Sequence, residues 1–97
     1  MKVYEYVEYG IYDYNEFCST KVFLTKEKAQ EYFKEKVEKE KSKIDSMNFY
    51  NITKDWENAG DGDFVISNDT DDCFCGYEYG YSNEYSINIE IREMECN

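Results

Sequence analysis

The chain contains no histidine and no proline. Without histidine, Ser-His-Asp and Cys-His catalysis and histidine-liganded metal sites are excluded, and any general base has to be a carboxylate. No run approaches the roughly 18 apolar residues that a membrane span needs. The opening MKVYEYVEYG sets tyrosines and glutamates where a secretory signal has its apolar core, so a cytoplasmic protein with reduced cysteines is expected. Positive charge is also scarce in one region. Residues 55–97 hold Arg92 as their one cation against twelve carboxylates.

What is present is aromatic and acidic. The 97 residues include eleven Tyr, six Phe and one Trp, and carry a formal charge of −11. A chain of this length makes one domain, 1–97. Each buried aromatic removes ~150–250 Å² from water, so a core is within reach despite the polarity. Residues 1–25 carry −2 and residues 26–54 carry +2, which leaves the whole net charge in the C-terminal half. Such a surface repels phosphates, which argues against direct binding of nucleic acid or anionic membrane, and attracts a basic protein surface.

In chain order, KVYEYVEYGIY (2–12) and FCSTKVFL (17–24) read as strands joined by a turn at 13–16. The buried face of the first is ambiguous, because Glu5 shares a parity with Val3, Val7, Tyr9 and Ile11. Thr25 is placed to cap a helix over about 26–44, in which Ala29, Phe33, Val37 and Ile44 form one stripe beside Tyr32. Lysine and glutamate interleave over the rest of that helix. This marks a solvated face in preference to a nucleic-acid surface.

MNFYNI (47–52) fits a short strand or a helical turn, and 55–63 a loop in which Trp56 is expected to anchor into the core. DFVIS, the turn NDTDD and CFCGYEYGYS form a further hairpin, with Tyr77, Tyr79 and Tyr81 on one face. YSINIEIR then alternates cleanly, Tyr85, Ile87, Ile89 and Ile91 pointing one way. The expected fold is α+β: a mainly antiparallel sheet of four to five strands with the helix packed on one face.

Cys73 and Cys75 lack the spacing by which two thiolates grip one tetrahedral zinc, and read as small strand residues. Asp61, Asp63 and the run Asp69, Asp71, Asp72 invite a calcium reading. Counted from Asp61, however, Ile66 falls where an EF-hand needs glycine, and a hairpin turn whose aspartates bond their own backbone explains the run better. No carboxylate pair is singled out for hydrolytic chemistry, and no cofactor is implied. The remaining feature is an acidic, tyrosine-rich surface. Asp61, Asp63, Asp69, Asp71, Asp72, Tyr77, Glu78, Tyr79, Tyr81 and Glu84 are its candidate partner-binding residues. The plain alternative is a solvated surface with its rings turned inward.

The hairpin leading into FLTKEKAQEYF (23–33), with the closing strand YSINIEIREME (85–95), resembles a broad class of short phage and mobile-element proteins. Its compact acidic members are similar in character to anti-CRISPR and other counter-defence inhibitors. That resemblance covers about half of the chain and implies a non-enzymatic inhibitor in a bacterial host. It implies as partner a basic nucleic-acid-binding protein such as a CRISPR-Cas or other defence effector, occupied by nucleic-acid mimicry. The readings set against it are a small structural domain that forms a homodimer through a sheet edge, and a weak calcium-binding module.

Overall fold

A computed structural model describes residues 1–80 and 84–95. Six strands and one long helix follow one another as β1 (Lys2–Tyr12), β2 (Asn15–Phe23), α1 (Lys26–Ser46), β3 (Ile52–Thr53), β4 (Phe64–Asp69), β5 (Cys73–Glu78) and β6 (Tyr85–Glu95). They form one sheet in the order β2-β1-β6-β5-β4-β3. Every pairing is antiparallel except the short parallel ladder of β3 with β4. The α+β class is as expected. The strand count is not, because Ile52 and Thr53 reach Phe64 and Val65 and add a sixth, parallel strand that two residues are too few to announce.

The β1–β2 connection is tighter than the four-residue turn expected from sequence. Only Asp13 and Tyr14 lie between the paired residues Tyr12 and Asn15, and both have positive φ, 51° and 66°. That is the geometry of a type I′ hairpin turn, adopted here without glycine. Downstream, the hydroxyl of Thr25 accepts from the Lys28 amide at 3.3 Å and starts α1 as anticipated.

Register explains which face of β1 is buried. Tyr6 lies opposite Ile91, Glu8 opposite Ile89, Gly10 opposite Ile87 and Tyr12 opposite Tyr85, so the even-numbered residues of β1 share the α1 face with the isoleucines of β6. The core is Tyr6, Phe33, Val37, Ile44, Phe64, Phe74, Tyr85, Ile87 and Ile89, with Ile91 and Tyr32 packed against it. Val7 and Val65, of the other parity, are buried outside that cluster. Gly10 is required at the centre: a Cβ there would stand 2.1 Å from the Ser86 carbonyl oxygen.

Two further expectations are corrected. Trp56 is 60% exposed, held in a single 3-10 turn over Trp56–Asn58, while Phe49 is the ring from this stretch that packs on Phe64. The strand expected to align Tyr77, Tyr79 and Tyr81 ends at Glu78, before Tyr79, and Gly80 has φ 126°. Tyr77 is in the strand and Tyr79 follows it, while Tyr81 lies outside the described residues. Among the described residues no helix is long and apolar enough to cross a membrane.

Candidate functional site

The nine candidate residues that are described do not gather in one place. Asp71 and Asp72 lie in the turn before β5, and Glu78 closes the strand, so about 17–20 Å of backbone separates them. Each end of the β4–β5 hairpin has its own chemistry.

At the turn end the aspartates are largely engaged locally. Asp69 Oδ2 meets Lys41 Nζ at 2.9 Å and Lys54 Nζ at 3.7 Å, so α1 and the loop after β3 both bring cations to it. The turn forms, but Thr70 and not an aspartate makes the side-chain bond to its backbone: Thr70 Oγ1 accepts from the Cys73 amide at 3.1 Å and lies 3.1 Å from Asp72 Oδ1. A shallow cleft of about 350 Å³ opens between this turn and α1, lined by Lys34, Lys41, Asp69 and Asp71 among others. Its charges are mixed.

The opposite end is more uniformly acidic. Asp63 is buried and structural there: its carboxylate accepts from Asn51 Nδ2 at 3.2 Å and from the Gly60 amide at 3.0 Å. At the same end Asp61 lies against Gly80, Glu78 and Glu84 line one recess, and the long β1–β6 register lays the β1–β2 turn alongside. Asp13 and Tyr14 therefore join this end, although they are distant in sequence. Tyr14 donates to Glu84 Oε1 at 2.6 Å, and that hydrogen bond, with the fields of Glu84, Glu78 and Asp13, raises the Tyr14 phenol above its ordinary pKa. Tyr12, Asp13, Met47, Glu78, Glu84 and Tyr85 line a recess of about 180 Å³. Lys43 Nζ is the nearby cation, 4.1 Å above the Tyr12 ring.

Sequence reasoning thus missed Asp13, Tyr12 and Tyr14. Their signal was the parity match between KVYEYVEYGIY and YSINIEIR, which allows β1 and β6 to pair and brings residue 12 opposite residue 85. Tyr77 lies elsewhere, opposite Val65 and Ser86 on the sheet face away from α1, and Tyr79 contributes backbone bonds to Asp63 and Gly62.

Cys18, Cys73 and Cys75 are free thiols, and Cys96 lies outside the described residues. Cys73 and Cys75 bring their sulfurs to 3.5 Å on the face away from α1. Burial first, and then the Cys73 thiol, pushes Cys75 up to about 11, so it is protonated near neutral pH and is a poor nucleophile. Among the described residues no group of three metal-binding side chains converges. What the acidic end offers chemically is a field of carboxylates flanked by hydroxylated rings. Those suit a flat contact with cationic groups better than a bond-making step. No family model, no curated protein and no solved structure matches the chain.

Proposed function

We propose that this protein is a non-enzymatic binding protein whose acidic sheet end occupies a basic, nucleic-acid-binding surface on another protein. The partner class follows the sequence resemblance: a bacterial defence effector such as an RNA-guided nuclease, inhibited because its nucleic-acid groove is filled. One observation carries the reading. Asp13, Asp61, Glu78 and Glu84 are brought to one end of the sheet from three separate stretches of chain, with Tyr12 and Tyr14 beside them. Carboxylates gathered in this way supply the field that attracts a basic groove, and tyrosines supply rigid contact area. The helix, whose lysines and glutamates nearly balance, adds little to that field.

The test is capture from a bacterial lysate by the immobilised protein, followed by elution with rising salt. Nucleic-acid-binding proteins are expected to elute early, as counterion-screened association demands. The variant D13N/D61N/E78Q/E84Q, which keeps side-chain size and lowers the net charge from −11 to −7, is expected to lose at least tenfold of that binding. Equal capture by the variant, or captured proteins without a nucleic-acid site, would overturn the reading.

A further inference from the structure

The β1–β2 turn determines which backbone groups of β2 are bonded and which are free. In a two-residue hairpin the flanking pair, here Tyr12 and Asn15, exchanges both hydrogen bonds. Antiparallel pairs then alternate, so Phe17, Ser19, Lys21 and Phe23 direct their N–H and C=O groups into β1. Glu16, Cys18, Thr20 and Val22 direct theirs outward. Because β2 ends the sheet, those outward groups meet no further strand among the described residues.

Natural edges are usually short, bulged, broken by proline or guarded by lysines. The opposite edge, β3, follows that rule with two residues. β2 does not. Its nine residues keep an unbroken register with β1 and contain no proline. Its one lysine, Lys21, lies on the α1 face with Nζ 4.6 Å from the centre of the Tyr32 ring. Val22 and Leu24 are 56% and 71% exposed beside it.

We infer that the β2 edge is a self-association surface, on which a second copy of this chain pairs antiparallel about a two-fold axis at Ser19. In that register Glu16 faces Val22 of the second copy and Cys18 faces Thr20, and each pair exchanges both hydrogen bonds. The outward-directed groups are then all matched over the full length of the strand. No like charges are opposed, since Lys21 falls opposite Phe17. A perpendicular two-fold also keeps both α1 helices on one face of a continuous sheet.

The self-matching register favours a second copy over an unrelated strand, and charge does not oppose it. The molecule carries −11, yet β2 holds one glutamate and one lysine and is neutral. The order β2-β1-β6-β5 puts β6, with Glu90, Glu93 and Glu95 against Arg92, two strands in from that edge. Five interstrand spacings of about 4.8 Å separate the two β6 strands, roughly 24 Å. That is more than two Debye lengths at 0.1 M salt, so the most acidic strands oppose the pairing only weakly.

Sedimentation of the whole protein at tens of micromolar is expected to give twice the mass of one chain, in low and high salt alike. This separates it from the salt-sensitive contact proposed above. Thr20→Pro removes an outward N–H and leaves the β1 ladder intact. It is expected to yield a monomer whose circular dichroism matches the parent and whose melting, unlike the parent's, does not depend on protein concentration. A second variant stands apart from proline effects. In C18S/S19C the two introduced thiols, one from each copy, would face each other as a non-hydrogen-bonded pair with Cα atoms about 4.5 Å apart, within disulfide range. Glutathione disulfide, itself reduced to two thiols, is expected to join them into a covalent dimer, while C18S alone stays uncrosslinked. A monomer at every concentration, a T20P dimer of parental strength, or no crosslink would overturn the inference. A monomer would leave the edge to a strand from another protein.

Discussion

Tyr85 and Tyr6 show how a chain this acidic still builds a core. Both rings are buried, and each hydroxyl donates to a carboxylate, Tyr85 to Glu40 Oε2 at 2.5 Å and Tyr6 to Glu8 Oε1 at 2.9 Å. Phenylalanine would fill the same volume but leave a half-buried carboxylate without that donor. Hydrogen bonds to charged groups contribute about 1.5–3 kcal/mol. Tyr85→Phe is therefore expected to lower unfolding stability by about that amount in urea titration, with the slope unchanged. The tyrosine content was plain in the sequence. Which rings were core and which were surface was not, because Tyr6, Tyr12 and Tyr85 differ only in what lies across the sheet from them.

At the scale of the element, α1 and β6 were legible and the β1 face was not. α1 shows its stripe at Ala29, Phe33, Val37 and Ile44, all buried, and runs two residues beyond the expected end. β6 alternates without ambiguity, and Ile87 and Ile89 are fully buried. β1 carries Tyr6 inward on one face and Val7 buried on the other, so periodicity alone gives two answers. The long β1–β6 ladder decides between them. Its weak point is Gly10, where any side chain meets the Ser86 backbone and neither strand can yield without breaking pairs. Gly10→Ala is expected to cost more than about 3 kcal/mol, at the upper end of overpacking effects. Thermal melting would show this as a large drop. A change under about 1 kcal/mol would mean that the two strands part more easily than their register implies.

Across the whole molecule, composition located the charge but not its division. Asp63 and Asp69 looked like surface acids, yet one is buried in a turn and the other is bridged to two lysines, while Asp13 and Tyr14 joined the acidic end through a register between distant strands. The same burial has a pH consequence. Burial, and then the carboxylate each donates to, raises Tyr6 and Tyr85 well above the ordinary 10.0. Their contribution is full below that value, where folded and unfolded chains both hold the proton. Above it the unfolded chain ionises first, and stability falls as pH rises toward the folded values. The melting temperature is expected to decline from about pH 10 upward, more gently in Tyr85→Phe. The pairing of β1 with β6 also bears on the order of folding. The first strand finds its inner neighbour only after the hairpins and helix between them have been drawn together, so the decisive closure is a long-range one. Such topologies fold on the millisecond-to-second scale, slower than helix and hairpin formation. Until that closure, β1 has a second unpaired edge, and a chain lacking β6 would keep it.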